Sequence, residues 1–331
     1  MRKSQTRLLS MLLVAGLALC SAGRTAEAGV PPPPACNPSA EPCERLSWIE
    51  QVLWSRDKGA IPHLREMAAA DVHERTRERS LGSLVTLADM GAPNVFFDRL
   101  GSDPSASVRR AAAEGIGILR FPGPPQRLTE PLQKDPHPLV RAECARALGR
   151  TGRLAAVPYL HISLLRDTSP SVRALSAEAL AKLRTPEATE PLLQGARDDD
   201  PLVRLYAIRG LVDTDPSSAS ALFQQAWDTT NDPELRVEAF RGLMLLEESV
   251  KWREAGLADP DERIRFLALG EWLSRLSGRN RSPIQLAPGT VQRLETFLSD
   301  RSRGIRELAK SFLEKQGFRI RPSGFIYVIQ N

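Results

Sequence analysis

Aromatic residues supply only 5% of this 331-residue chain, although apolar residues of all kinds supply 42%. A core short of aromatics is built from Ala, Leu, Val and Ile, which suits closely packed helices. An excess of one charge sign is lacking as well, with 45 Lys and Arg against 40 Asp and Glu. Five of these charges, Arg2, Lys3, Arg7, Arg24 and Glu27, lie in the first 28 residues; without them the balance is 41 against 39, a net charge of about +2. No basic cluster remains to attract nucleic acid, so no nucleic-acid partner is expected. Histidine is limited to His63, His73, His137 and His161, and cysteine to Cys20, Cys36, Cys43 and Cys144, which leaves little material for a metal centre or a nucleophile.

The first 28 residues read as an export signal: a basic start, an apolar run over 8–19 too short to span a membrane comfortably, and a small-x-small "AEA" at 26–28. Cleavage there leaves Gly29 at the start of the mature chain. "LALC" offers a second reading, in which Cys20 is lipidated, because it resembles the end of a bacterial lipoprotein signal; Leu19 stands where Gly, Ala or Ser is usual. A mature chain that begins at Gly29 excludes lipidation, and contact with a membrane is expected only if Cys20 carries lipid. Residues 29–43 form a Pro-rich leader, expected to be an extended spacer rather than part of the core. In an oxidising compartment Cys36 and Cys43 are a candidate disulfide closing a small loop, the alternative being two free thiols.

The stretch "DPHPLVRAECARALG", 135–149, gathers Asp135, His137, Arg141 and Cys144 like a reactive site, until it is found to recur. Asp, five residues, Arg appears as Asp71/Arg77, Asp103/Arg109, Asp135/Arg141, Asp167/Arg173, Asp198/Arg204, Asp259/Arg265 and Asp300/Arg306. Arg236 makes an eighth copy with Thr230 at the Asp position. Successive arginines lie 32, 32, 32, 31, 32, 29 and 41 residues apart. The residue before the Arg is apolar in every copy but Thr76, the residue three after it is always small, and the residue seven after it is always apolar. These offsets share one helix face, and the small residue lets neighbouring helices approach. Proline three residues before the Arg in several copies belongs to a helix's first turn. Between these helices lies another, introduced by Pro-x-Leu in "IPHLREMAAAD", "VPYLHISLLRD" and "EPLLQGARDDD". Each unit of about 32 residues is therefore a helical hairpin that must stack on its neighbours to bury its apolar face.

"DPHPLVRAECARALGRTG" and "DTSPSVRALSAEALAKLR" resemble the HEAT-repeat family, in particular the short HEAT-like repeats of phycobilisome bilin lyases. The resemblance covers residues 44–316. It implies an all-α solenoid of about eight antiparallel hairpins, in which the repeated Asp and Arg form a ladder of hydrogen bonds between repeats. An Asp just ahead of a helix is also expected to cap that helix.

Three departures stand out. "FPGPPQRLTEP", 121–131, predicts a short or displaced helix, and "SGRNRSPIQLAPG", 277–289, a surface loop. Residues 317–331 change to an alternating pattern with an apolar run at 325–329 and a Pro-Ser-Gly turn. This predicts a short β-like tail capping the last repeat, with pairing to a partner strand as the alternative. His73 and His137 stand two repeats apart, too far to share a metal. His73-Glu74 is similar to the iron-binding His-Glu dipeptides of deoxyhypusine hydroxylase, which needs several of them. No metal and no cofactor are expected. Five residues after the ladder Arg, mixed charges occur; Arg146, Arg209 and Arg241, with Tyr206, are the candidate partner contact.

Thirty-eight arginines against seven lysines, with abundant Ala and Pro, suit a bacterial GC-rich genome. The expected function is a non-enzymatic protein-binding or scaffold module, exported to the periplasm or secreted. The alternatives are an enzyme or maturation factor like the lyase relatives and a lipid-anchored envelope assembly factor.

Overall fold

The computed structural model describes residues 30–34, 43–246, 249–278, 285–320 and 326–328. The expected signal, Cys20, Cys36, the side chain of Cys43 and the 322–324 turn lie outside the described residues. Two compact units divide between Phe121 and Pro122, inside the Pro/Gly-rich stretch that predicted an irregularity.

The first unit contains α1 (Cys43–Ser55), α2 (Ile61–Ala70), α3 (Glu74–Thr86), α4 (Pro93–Ser102) and α5 (Ala106–Leu119). Helices α1, α3 and α5 pack in succession, while α2 lies on α3 and α4 on α5. The second unit contains α6 (Gln126–Lys134), α7 (Pro138–Thr151), α8 (Val157–Arg166), α9 (Pro170–Leu183), α10 (Thr189–Gly195), α11 (Pro201–Thr214), α12 (Ser220–Thr229), α13 (Pro233–Met244), α14 (Ser249–Leu257), α15 (Glu262–Ser277), α16 (Pro288–Phe297) and α17 (Arg303–Lys315). There the odd-numbered helices again pack in succession from α7 to α17, each paired with the even-numbered helix before it. Among the described residues each unit is an all-α stack of such hairpins, two preceded by α1 in the first and six in the second.

The periodic positions explain this stacking. Every residue one before, three after and seven after the eight ladder arginines is buried, from Thr76, Ser80 and Leu84 in α3 to Ile305, Ala309 and Leu313 in α17. Alternating large and small side chains let the odd helices interlock. A Cβ on Gly149 of α7 would stand 2.7 Å from the Ala179 Cα of α9, so glycine is what permits that spacing. Proline at the first or second helical position starts α2, α4, α7, α8, α9, α11, α13 and α16. Gly152, left-handed at φ 69°, ends α7.

Helix α6 begins only at Gln126, has nine residues and holds Pro131 within it, where one backbone donor is lost. The Pro-rich leader differs from a free spacer over residues 30–34. Pro31 O accepts from Trp48 Nε1 at 2.5 Å, Pro34 O accepts from Arg45 Nε at 3.2 Å, and Val30 N donates to Asp57 Oδ2 at 2.6 Å. Proline-rich backbone has no internal hydrogen bonds, so its carbonyls are free to accept from α1. At the other end β1 (Phe318–Ile320) pairs antiparallel with β2 (Ile326–Val328) in the register Phe318 to Val328, and β1 lies against α17. The tail thus pairs with itself at the last repeat. Among the described residues no helix is long and apolar enough to cross a membrane.

Candidate functional site

Each ladder arginine is the fourth residue of its helix, and the ladder Asp lies in the loop before that helix. From this place the guanidinium turns back and sideways. Arg141 Nη1 donates to Asp135 O at 2.9 Å, inside its own loop. Its Nε and Nη2 donate to Asp167 Oδ2 and Oδ1 of the next loop at 2.8 Å each. Arg173 repeats this with Asp167 O at 3.1 Å and Asp198 at 2.7 and 2.8 Å. Arg265 does so with Asp259 O and with Asp300, all at 2.9 Å. In the first unit Arg77 donates to Asp71 O and to both oxygens of Asp103 at 2.8 Å. These bidentate, charge-assisted contacts combine strength with fixed geometry.

Each Asp does a second job, different from the expected cap. One oxygen accepts the N–H two residues on: His73 from Asp71, Ser105 from Asp103, His137 from Asp135, Ser169 from Asp167, Asp200 from Asp198, Asp261 from Asp259 and Ser302 from Asp300, at 2.7 to 3.0 Å. The Asp thus braces the loop, because it lies two residues before the helix's true N-cap. Capping falls to that later residue: Asp200, Asp232 and Asp261 accept N–H groups of α11, α13 and α15.

Burial alone would raise the carboxyls of Asp103 and Asp198. The hydrogen bonds from Arg77 and Arg173 and from backbone N–H groups outweigh it and hold both below their ordinary value. Asp300 is lowered chiefly by its hydrogen bonds from Arg265. Arg109 Nη1 donates to Asp103 O at 2.9 Å, and Arg306 Nη1 to Asp300 O at 2.6 Å. Arg236 lies 4.2 Å from the Trp227 ring centroid and pairs with Asp259 at 2.7 Å. Arg204 Nη1 donates to Asp198 O at 2.8 Å, but its next loop offers Thr230.

Two elements of this network were missed in the sequence. Arg45 of α1 pairs with Asp71, 26 residues on, the separation seen for Arg77 and Asp103. The 32 residues from Arg45 to Arg77 were its signal, obscured by Glu44 and Trp48 at the apolar and small positions. The second is a pair of buried glutamates. Arg209 of α11 and Arg241 of α13 both hold Glu238, at 2.8 and 2.7 Å, and Arg146 holds Glu143 at 2.7 Å. Arg209 also lies 5.9 Å from the Tyr206 ring. The candidate contact of Arg146, Tyr206, Arg209 and Arg241 is thus an ion-paired face, and Arg146 is paired within its own helix.

Cys144 is fully buried at the small position of α7, and burial pushes its thiol well above the ordinary range, which keeps it protonated. His137 Nδ1 accepts from Leu139 N at 3.3 Å as the N-cap of α7, His161 Nε2 lies 3.5 Å from Gln194 Oε1, and His63 meets Trp48 edge-on. Among the described residues no three His, Cys, Asp or Glu side chains are placed to hold a metal ion.

Stacked helical hairpins joined by side-chain rungs define an α-helical repeat protein. HEAT repeats match residues 61–149, 92–168, 125–201, 161–244 and 189–269, and the chain belongs to the HEAT-repeat family. No curated protein matches it. Among solved structures it is similar to the complex of CpcE and CpcF of phycocyanin lyase from Nostoc sp. PCC7120, at 20% identity over 70% of this chain and 91% of that one, with a TM-score of 0.45. An engineered protein is similar at 17% identity, covering 82% and 80% of the two chains with a TM-score of 0.49. Human deoxyhypusine hydroxylase is similar at 19% identity, covering 81% and 98% with a TM-score of 0.35.

Two outcomes follow from the rungs. Arg141→Ala leaves Asp167 without its guanidinium and should destabilise by about 1–3 kcal/mol in denaturant unfolding, while Cys144→Ala should be nearly neutral. Acid should weaken the fold through the lowered carboxyls. The rungs on Asp103, Asp198 and Asp300 contribute fully above the ordinary carboxylate value of 3.8 and are lost as pH falls through the lower folded values. Unfolding midpoints measured from about pH 5 down to about pH 2 should fall, and fall less steeply in Arg173→Ala.

Proposed function

We propose that the chain is an exported, non-enzymatic binding or scaffold protein of a bacterial envelope, holding a protein partner on a surface made by its repeats. An apolar stripe on α8 carries this reading. Tyr159, Ile162 and Leu165 follow at three-residue intervals and are 39%, 46% and 42% exposed. At that spacing they lie along one side of the helix, away from its buried Leu160 and Leu164. Exposed apolar surface in a row favours a partner over water. Membership of the HEAT-repeat family supports protein interaction as the use of the array. The basic, apolar and small-residue succession over residues 1–28 supports export, with lipidation at Cys20 as the route to an anchored assembly factor.

Affinity capture from envelope extracts tests the reading, comparing the wild-type chain with an Ile162→Asp, Leu165→Asp double variant. The wild type should retain a protein absent from the bead control, and the variant should lose it at unchanged circular dichroism. Retention of nothing above the control, or of the same proteins by both chains, contradicts the proposal.

A further inference from the structure

The ladder fails at one place within the second unit. Arg141, Arg173 and Arg265 each place Nη1 on the preceding loop's backbone and Nε with Nη2 on the next loop's carboxylate. Arg204 keeps the first half, with Nη1 donating to Asp198 O and Asp199 O at 2.8 Å each. Twenty-six residues on, the separation at which Arg141 finds Asp167, stands Thr230. Its hydroxyl oxygen accepts from Asp232 N at 3.1 Å, which reproduces the loop-bracing half of an Asp's work. Threonine has no carboxylate to offer a guanidinium. The Asp198 carboxylate is committed to Arg173 and to Asp200 N. The Nε and Nη2 edge of Arg204 is thus left without an acceptor among the described residues.

That missing rung coincides with a cavity. Arg204, Thr230 and Asn231 line an open cleft of about 570 Å³, with Ile208, Leu222 and Leu235 as its apolar lining. Arg197 and Asp199 also line it and offset one another in charge; Asp199 meets Arg204 through its carbonyl, not its carboxylate.

We propose that this cleft binds a carboxylate group that completes the rung from outside. Its two oxygens accept from Arg204 Nε and Nη2 in the bidentate manner seen at Asp167 and Asp198, and the aliphatic carbons behind it rest on Ile208, Leu222 and Leu235. The carboxylate comes from a free aliphatic acid or from an Asp or Glu side chain on a protein segment. The site shares no residue with the α8 stripe, and its test is independent of that surface.

The full chain is titrated calorimetrically with glutarate, with a capped peptide bearing one Glu, and with the same peptide bearing Gln. The Arg204 Nε–H signal, followed by nuclear magnetic resonance, locates binding. Glutarate or the Glu peptide should bind and shift that signal, and the Gln peptide should not. Binding of glutarate assigns the cleft to free acids; binding of the Glu peptide alone assigns it to a protein segment. Thr230→Asp supplies the missing carboxylate from within, so it should raise the unfolding midpoint and weaken binding by roughly tenfold or more. Thr230→Asn, of the same shape without the charge, should retain binding. Arg204→Lys, which keeps the charge but loses the fork, should weaken binding similarly if Thr230→Asp does not fold. The proposal is overturned if neither carboxylate moves the Arg204 signal, if the Gln peptide binds as well as the Glu peptide, or if both variants that block the fork bind like the wild type.

Discussion

A guanidinium at the fourth position of one helix, held by the loop behind it and reaching the loop of the next repeat, is the contact that converts separate hairpins into an array. It does so because each Asp serves two partners at once. One oxygen braces its own loop by accepting a backbone N–H, and the pair together receives the arginine fork. A loop that loses its brace would also misplace the carboxylate, so local loop shape and contact between repeats are coupled through one side chain. The apolar interlock of the odd helices supplies burial; the rungs supply register, since a bidentate pair tolerates little displacement.

Much of this was legible because the repeat supplied many copies of one pattern. Asp135, His137, Arg141 and Cys144 look reactive in a single copy, and their siblings assign them to a rung, a variable loop position and a packed small residue. The alternation of helices followed from the same comparison, and the short β-like tail from its change of period. What escaped depended on contacts that no single copy displays. Arg45 takes part in a rung although its helix lacks the usual residues beside it, because the pairing needs only an arginine on the helix and an Asp in the next loop. Glu238 was invisible as a clamp for Arg209 and Arg241 because both arginines were read only as surface positions; they stay partly exposed, and one buried carboxylate holds both. The leader residues 30–34 were read as a spacer from their prolines, yet those same prolines supply unpaired carbonyls to α1.

Candidate functional surface appears where these rules are relaxed. The α8 stripe exposes apolar side chains that the packing of its own hairpin does not use, and the Thr230 position removes a carboxylate while leaving its arginine in place. Both are departures from a repeated pattern, which makes them visible as departures. Neither requires a reacting group, and both suit a protein that holds others.

The rungs can be tested by a double-mutant cycle on Arg173 and Asp198, the pair joined at 2.7 and 2.8 Å. Unfolding free energies of Arg173→Ala, Asp198→Ala and the double variant give the coupling between two adjacent repeats directly. The account predicts that the two losses are not additive, with a favourable interaction of about 0.5–3 kcal/mol. Strict additivity of the two single variants would contradict it, because the rung would then contribute nothing that joins one repeat to the next.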